Sequence, residues 1–415
     1  MVIFYRKLSV MFSFNHIRNL LILFAFMSVI NGNATADTNS FIFNNFSKKI
    51  YLKQISSDFF LMNNHLKVKL TNRMIIKAKA NITKAKIQKE DPHIQKVTEI
   101  YQMKQGVYYL VEIKEMKNLF SLINHFNDLP FIYFAQPDIL QLKQKTSHEG
   151  YKSYTNRYIK RLNIPSLWKK TKGEHVKIAI IDDGFDLTHE DLKGLRLAFG
   201  YDVEMKTLDP SPKLKIDTHG TQIAGIIFAQ HNDTGIDGIA PHASLIAIRH
   251  ADTWTSQMIL SFYVAKMAAA NIINCSWTSR FLLEPVADII NDLTSEGRDG
   301  KGIAVIFAAG NKGIELQVGA NEASLSPVIS VGAIDYQGNR LKRSNYGKCV
   351  DVYTYGKNIK TTTYSSRKYG FISGTSASAA IVSGICALVL SQNQHMSLAQ
   401  LNTVLQTNLI WESND

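Results

Sequence analysis

A series of short, uninterrupted apolar runs in the C-terminal two-thirds constrains the fold of this 415-residue chain most strongly. We predict strands in these runs, at 176–181, 244–248, 272–275, 303–308 and 328–333. Helices are predicted between them and after them, at 220–229, 256–270, 284–296, 376–390 and 398–407, the last opened by a capping box of Ser397 and Gln400. Strands that are apolar on both faces and alternate with helices predict an α/β fold. Its central, mostly parallel sheet would be covered by helices on both sides, as a three-layer sandwich.

The net charge of +13 is concentrated in the N-terminal third of the chain. Residues 1–150 hold 20 Lys+Arg and 10 Asp+Glu, a net of +10, whereas residues 151–415 hold 27 and 24, a net of +3. No basic cluster in this second part is interleaved with aromatic residues, as a nucleic-acid-binding surface would be. We therefore expect no nucleic-acid partner.

The N-terminus has the pattern of an export signal. Arg6, Lys7 and Arg18 precede an apolar run over residues 20–30, and small residues around Ala34 and Ala36 follow. This order predicts a signal peptide over residues 1–36 and a secreted or periplasmic protein. The run is shorter than the roughly 20 residues that span a bilayer. We expect membrane contact only through this signal, with an uncleaved anchor as the alternative.

The three cysteines, Cys275, Cys349 and Cys386, are an odd number for an exported protein. They include no C-x-x-C pair and no Cys/His spacing typical of zinc. The sequence therefore predicts no disulfide framework and no zinc site, although one disulfide stays open.

Residues 37–145 differ from the rest, because they are rich in Lys and Asn and poor in Gly. Near their end we predict a strand at 106–113, a helix at 116–126 and a strand at 130–137. A polar stretch without periodicity, 141–158, follows as a linker or cleavage region. These patterns predict a small α+β domain over residues 37–145 and a larger domain over residues 146–415.

Three segments of the larger domain carry an acid, a base and a hydroxyl. Asp182 ends a buried strand, His219 opens a helix in Thr-His-Gly-Thr, and Ser376 opens an apolar helix in Gly-Thr-Ser-Ala-Ser. A serine hydroxyl is a poor nucleophile until an imidazole takes its proton and a carboxylate orients that imidazole. A fourth segment, Ala-Ala-Gly310-Asn311, follows another buried strand.

These four segments, in the order Asp, His, Asn, Ser, resemble those of the subtilisin-like serine proteases, the subtilase family or peptidase family S8. The resemblance covers about residues 160–410. It implies a serine endopeptidase in which Asp182, His219 and Ser376 form the triad and Asn311 helps to stabilise the oxyanion. Three positions depart from the usual family pattern: Asp183 stands where Ser or Thr is usual, Thr278 stands in place of glycine, and Ala380 replaces a proline. The Asp-Asp-Gly at 182–184 also occurs in the kexin-like branch of the family.

The resemblance also implies how the chain is made and what it binds. Residues 37–145 would be a prodomain that inhibits the enzyme until the zymogen processes itself, with the bond between about 141 and 151 as the site. Polypeptide substrates would lie along the segment Ser276, Trp277 and Thr278 and against Ala309 and Gly310. Calcium, as a structural ion at Asp191 and Asn232, is the only cofactor implied, and none is implied for catalysis.

Three alternatives stay open on the sequence alone. Residues 37–145 can be an unrelated accessory domain, and Trp277 can be a core residue. A catalytically weak pseudoprotease, acting as a binding module, would keep the fold but lack a catalytic residue, and none is missing. A lipase or esterase would need G-x-S-x-G after a strand, which the segment around Ser376 does not provide.

Overall fold

The computed structural model describes residues 40–142, 157–365 and 368–409. The predicted signal peptide lies outside these residues, as does most of the predicted linker.

The N-terminal region contains two antiparallel sheets. The first has the order β6-β7-β5-β8 and carries the helices α1 (Lys84–Gln88) and α2 (Leu119–Asn127). Its strands are β5 (Arg73–Ala78), β6 (Ile94–Met103), β7 (Gly106–Ile113) and β8 (Ile132–Pro137). The strand–helix–strand prediction for this part is confirmed, with one change. A 3₁₀ turn, Met116–Asn118, forms the start of the predicted helix.

The second sheet was not predicted. It has the order β1-β2-β3-β4-β9, with β1 (Ser40–Asn45), β2 (Lys48–Gln54), β3 (Phe59–Met62), β4 (Leu66–Lys69) and β9 (Leu140–Gln141). Its first strands alternate buried and exposed residues over only a few positions, and several exposed ones are Lys or Asn. Such short alternation among polar residues is a weak signal, and residues of these types are depleted in strands.

The larger domain is built on a seven-stranded sheet of the order β11-β12-β10-β13-β14-β15-β16. Its strands are β10 (Lys177–Asp182), β11 (Arg196–Asp202), β12 (Ser244–Arg249), β13 (Ile272–Cys275), β14 (Ala304–Ala308), β15 (Ile329–Ile334) and β16 (Val352–Tyr355). Every pairing in it is parallel. The prediction of a parallel sheet is therefore confirmed, and the five predicted strands are β10, β12, β13, β14 and β15.

Helices cover both faces of this sheet, as predicted. Those of the larger domain are α3 (Arg157–Arg161), α4 (Ile164–Trp168), α5 (His219–Phe228), α6 (Thr255–Met267), α7 (Glu284–Gly300), α8 (Thr375–Gln392) and α9 (Leu398–Leu409). A hairpin of β17 (Ile359–Thr362) and β18 (Tyr369–Ile372) packs beside α5. Helix α8 is long and apolar enough to cross a membrane, but 78% of that window is buried within the protein. It is accordingly the central core helix.

The pleat of β10 decides which of its side chains face α5 and α8. Ile178 and Ile180 belong to the core that contains α5 and α8, while Ala179 and Ile181 belong to the core that contains α6 and α7. Successive side chains of a strand point to opposite faces. Asp182, two residues after Ile180, is therefore directed toward α5 and α8 at the carboxyl end of the sheet.

Helix α5 can approach β17 closely because Gly225 has no side chain. A Cβ built there would lie 2.6 Å from Thr361 Oγ1 and 2.9 Å from the Thr362 backbone nitrogen. We expect Gly225→Ala to lower the free energy of unfolding by about 1–3 kcal/mol, as overpacking usually does. Urea unfolding in a Ser376→Ala background, which prevents autolysis, measures this loss.

Gly370→Ala is the matched control on the adjacent strand, since its Cβ would meet the nearest atom, Thr363 Cγ2, at an ordinary 3.6 Å. Equal unfolding free energies for the two alanine variants would show that the close approach at Gly225 is not a packing constraint.

Candidate active site

A buried acid, Asp182, and a half-buried imidazole, His219, form a hydrogen-bonded pair. Asp182 ends β10 and is 4% exposed, and both of its carboxylate oxygens lie within hydrogen-bond distance of His219 Nδ1, at 2.8 and 2.9 Å. The Asp183 amide donates to Asp182 Oδ1 (2.8 Å), and the His250 amide donates to the Asp182 carbonyl (2.6 Å). The carboxylate is thus fixed from the backbone and orients the imidazole.

Two glycines allow this pair to form. A Cβ on Gly220, directly after the histidine, would clash with the carbonyl oxygen of Gly184 and would lie 3.1 Å from Asp182 Cβ. Gly184 itself has φ +141°, a conformation that L side chains rarely adopt. The start of α5 therefore rests directly on the turn that follows β10.

Ser376 is the second residue of α8, and its hydroxyl faces a neighbouring strand end. Ser376 Oγ donates to the Ser276 carbonyl (2.8 Å), and Ser276 Oγ donates back to the Ser376 carbonyl (3.1 Å). Ser276 Oγ also accepts from Asn274 Nδ2 (2.9 Å), so the predicted nucleophile is tied to the end of β13. The structure brings Asp182 and His219 into direct contact, whereas the Ser376 hydroxyl is turned to Ser276.

The side-chain oxygen of Asn311 is hydrogen-bonded to the first residue of α8. Its Oδ1 accepts from the Thr375 amide (3.0 Å) and from Thr375 Oγ1 (3.2 Å). A Cβ on Gly374, which has φ +120°, would lie 2.7 Å from this oxygen. Because the amide oxygen faces α8, the NH₂ group of Asn311 is turned away from these donors.

Two supporting residues escaped the sequence analysis in whole or in part. Thr375 entered the sequence analysis only as part of the segment around Ser376, yet its Oγ1 also accepts from the Gly310 amide (3.2 Å). Asn345 was not singled out, although its amide donates to the Gly310 carbonyl (2.9 Å) and its Nδ2 donates to the Ala309 carbonyl (2.9 Å). No local motif marks Asn345, because its partners are distant in the chain.

Comparison with known proteins decides the family. The model of the subtilase family matches residues 173–413, which is more than half of the chain. The chain belongs to the subtilase family. Subtilases are serine endopeptidases, and this subtilase therefore has a proteolytic function.

Individual relatives agree with this assignment. A thermophilic serine proteinase from Bacillus sp. (strain AK1) is 31% identical over 289 residues, covering 68% of this chain and 69% of the relative. A calcium-dependent protease from Nostoc sp. (strain PCC 7120) is 29% identical over 286 residues, covering 59% of this chain and 43% of the relative. A protease structure from Pseudoalteromonas arctica, at 23% identity and a TM-score of 0.51 over 59% of this chain and 86% of that one, supports the fold.

The predicted substrate-binding segment of this subtilase lies beside Ser376, the predicted nucleophile. Trp277 packs edge-on against His250 and Phe307 and donates from Nε1 to the Ile181 carbonyl (2.7 Å), which favours its interpretation as a core residue. Thr278 Oγ1 would lie 3.9 Å from a Cβ on Gly310, so these two residues face each other.

Ala309 is buried below this loop. Its amide donates to the Val331 carbonyl (2.9 Å) and its carbonyl accepts from Asn345, as described above. A direct substrate contact of Ala309 stays a prediction.

The two predicted calcium ligands lie in one region but differ in their surroundings. Asp191 is fully buried; its Oδ2 accepts from the Ile236 amide (2.9 Å), while Oδ1 has no hydrogen-bond partner among the described residues. Asn232 Oδ1 accepts from Thr234 Oγ1 (2.7 Å) and from the Thr234 amide (3.1 Å), and Asn232 is exposed. Only Asp191 therefore presents a buried oxygen that a cation would satisfy.

All three cysteines are free thiols. Cys275 and Cys386 are buried in the core, and burial raises the pKa of both thiols. The chain thus forms no internal disulfide between them.

The hydroxyl of Thr375, at the start of α8, forms hydrogen bonds with Asn311 and with the Gly310 amide. We expect Thr375→Val, which keeps the shape of the side chain, to lower kcat about tenfold with little change in KM.

For Asn311→Ala the expected loss of turnover is about 10²–10³-fold, the magnitude known for the equivalent change in subtilisin. Steady-state hydrolysis of a peptide p-nitroanilide measures both. A Thr375→Val enzyme with unchanged kcat would contradict the positioning role of the hydroxyl.

Proposed function

We propose that this subtilase is a secreted endopeptidase that cuts peptide bonds with an Asp182–His219–Ser376 triad and is made as a self-processing zymogen. The observation that carries the proposal is the hydrogen-bonded Asp182–His219 pair, directed by the pleat of β10 toward the helix that begins at Thr375 and Ser376.

In this mechanism Ser376 Oγ leaves the Ser276 carbonyl and turns to His219 Nε2. The Oγ forms a bond to the scissile carbonyl carbon while His219 accepts the hydroxyl proton, and the imidazolium is stabilised by Asp182. His219 then gives the proton to the leaving amine as the C–N bond breaks, which leaves an ester on Ser376. Water, activated by the same imidazole, hydrolyses the ester and restores the enzyme.

Asn311 and the start of α8 stabilise the negative charge that forms on the carbonyl oxygen. The Nδ2 group of Asn311 and the backbone amide of Ser376 are the proposed donors. The partial positive charge at a helix N-terminus adds to this stabilisation. Support comes from the bonds of Thr375 to the Asn311 oxygen, which set the orientation of the amide before substrate arrives.

Residues 139–141, near the end of the proposed prodomain, contact the larger domain on two sides. The Thr255 amide donates to the Ile139 carbonyl (3.0 Å), and Leu140 forms an antiparallel bridge with Trp254. On the other side, Gln141 Nε2 donates to the Phe281 carbonyl (2.8 Å), just beyond the segment that begins at Ser276. Main-chain pairing of this kind is how an extended peptide is bound, so the segment supports an inhibitor that occupies the cleft.

This region also supplies caps to two helices of the larger domain. Neither α6 nor α7 has a side-chain cap from its own N-cap residue. Asp138 accepts from the Ser256 amide (2.9 Å) at α6, and Asn45 Oδ1 accepts from the Glu284 amide (2.7 Å) at α7. Helix N-termini left without such partners lose about 1 kcal/mol each. Docking of the N-terminal region is therefore expected to stabilise the catalytic domain and assist its folding.

Some basic residues of the N-terminal region pair with acidic residues of the larger domain. Helix α7 presents acids that meet the N-terminal region: Asp288 pairs with Lys77 (2.5 Å), and Glu296 pairs with Lys104. Tyr108 donates to Asp288 and Tyr101 donates to Asp292, both at 2.6 Å. Two Lys and two Tyr side chains of the N-terminal region thus contact an acidic helix, which supports an intramolecular inhibitor rather than a nucleic-acid-binding arm.

The triad and the zymogen are tested together by intact mass over time. We expect the wild-type protein to lose roughly its first 110 residues after the signal peptide, because residues 139–141 are already bound to the larger domain at Thr255 and Phe281. The Ser376→Ala protein, which lacks the nucleophile, should remain at the mass of the chain without residues 1–36. Mass spectrometry of protein recovered from the exported fraction measures the cleavage bond and the loss of the signal at once.

A serine-directed fluorophosphonate separates the remaining outcomes. If the wild type stays uncut but is labelled at Ser376, another protease must activate the zymogen, and the triad stands. If it is neither cut nor labelled after limited removal of the N-terminal region, the site is idle, as in a binding module. Processing of the Ser376→Ala protein would contradict self-cleavage.

We also propose a structural calcium ion anchored by Asp191. The buried, unpartnered Oδ1 of this carboxylate is suited to a hard cation, which prefers oxygen ligands. The calcium-dependent protease of Nostoc adds support at the level of the family. Asn232 is a weaker candidate, because its oxygen already closes its own turn with Thr234. When bound, the ion would neutralise Asp191; it would take no part in peptide hydrolysis.

We expect 1 mM CaCl₂ to raise the melting temperature of the Ser376→Ala protein above its value in excess EDTA, since an ion that binds only the folded state stabilises it. Asp191→Asn should abolish this difference, while Asp233→Asn, an exposed acid of the neighbouring loop, should keep it. Identical melting temperatures with and without calcium for the parent protein would refute the site.

A further inference from the structure

Asp183 supplies the cap that the histidine helix lacks. Thr218, at the N-cap of α5, makes no side-chain hydrogen bond to the helix. Instead, Asp183 Oδ1 accepts from the Gly220 amide (2.7 Å) and Oδ2 accepts from the His219 amide (3.2 Å). One carboxylate, placed directly after Asp182, therefore holds the backbone of the same residue whose imidazole Asp182 orients.

The two acids flank one histidine, and few other charges face them. Burial and the neighbouring Asp182 carboxylate raise the pKa of Asp183 to about 6, while His219 and the two amides act in the opposite direction. Of the other charged residues near the start of α5, Asp217 pairs with Arg249 (3.6 Å), and Arg249 also pairs with Glu204 (2.7 Å). His250, beyond Asp182, packs its ring against Trp277.

We propose that Asp183 is a positioning residue for the protease reaction: it clamps the backbone of His219 against Asp182, and its charge sets the lower pH limit of activity. The inference rests on the proposed triad, because it assigns a task to a group that acts through His219. Serine or threonine, the usual residues at this position in the family, can accept a hydrogen bond but carry no charge.

The sign of the pH effect follows from the charge. Above about pH 6 Asp183 is ionised. It then accepts strong hydrogen bonds from the two amides and also stabilises a protonated His219. Catalysis needs neutral imidazole, so two flanking carboxylates keep the enzyme inactive up to a higher pH than Asp182 alone would. As the pH falls through about 6, Asp183 takes up a proton and the clamp weakens, which steepens the loss of activity.

Three variants separate charge from shape. Asp183→Asn and Asp183→Ser remove the charge, and we expect the acidic limb of the kcat/KM profile to move at least about one pH unit lower. On the plateau, kcat should fall about tenfold with little change in KM, since the imidazole is held less firmly. Asp183→Glu keeps the charge, so its limb should stay at the wild-type pH although kcat falls. Active sites are counted with a fluorophosphonate, so a smaller folded fraction does not enter kcat.

Asp186→Asn is the matched control, because it removes the same charge from the same loop. Asp186 Oδ1 accepts from Thr188 in its own turn (2.6 Å), and its loss should leave the limb in place. The proposal would be overturned if the acidic limb of the kcat/KM profile stayed at its wild-type pH in both Asp183→Asn and Asp183→Ser. It would also be overturned if Asp183→Glu moved the limb as far as those two variants do. Full activity of Ser376→Ala would instead overturn the triad itself, so the two failures are distinguishable.

Discussion

The contact between the end of β10 and the start of α5 is the constraint on which the catalytic arrangement depends. A carboxylate and an imidazole can share a buried hydrogen bond only if their backbones approach closely, and Gly184 and Gly220 provide that approach. The pleat of β10 then directs Asp182 to the same side of the sheet as α8. In the proposed triad, position rather than any unusual side chain makes three common residues suited to nucleophilic catalysis.

The second constraint is the network of hydrogen bonds around Ser376, the proposed nucleophile. Ser276 and Ser376 bond to each other in both directions, which joins the end of β13 to α8. Thr375 joins Asn311 and Gly310 to the same helix, and Asn345 closes that loop from behind. Each of these side chains is anchored to backbone, so the groups expected to meet a transition state are ordered before substrate binds. Such preorganisation is the main source of electrostatic stabilisation in enzymes.

The N-terminal region uses the same physical chemistry between two parts of the chain. Asp138 and Asn45 satisfy helix N-termini, Lys77 and Lys104 meet acids of α7, and residues 139–141 contact the larger domain at Trp254, Thr255 and Phe281. Asp138 is fully buried, and burial raises the pKa of its carboxyl while Arg73, at 3.0 Å, opposes the rise. The extra sheet β1–β4 extends this contact, since β4 pairs with β9, the strand formed by residues 140–141.

The sequence by itself determined the parts that depend on local pattern. Apolar runs at 176–181 and elsewhere predicted the parallel sheet, because only strands buried on both faces are apolar throughout. Motifs around Asp182, His219, Asn311 and Ser376 indicated the family, because each places a residue type that serine-protease chemistry needs at the end of a strand or the start of a helix. Only the tertiary structure decided the roles of Asn345 and Asp183, which depend on partners elsewhere in the chain. It also decided the sheet β1–β4, because its short strands are stabilised by packing and pairing with distant residues, which no local pattern records.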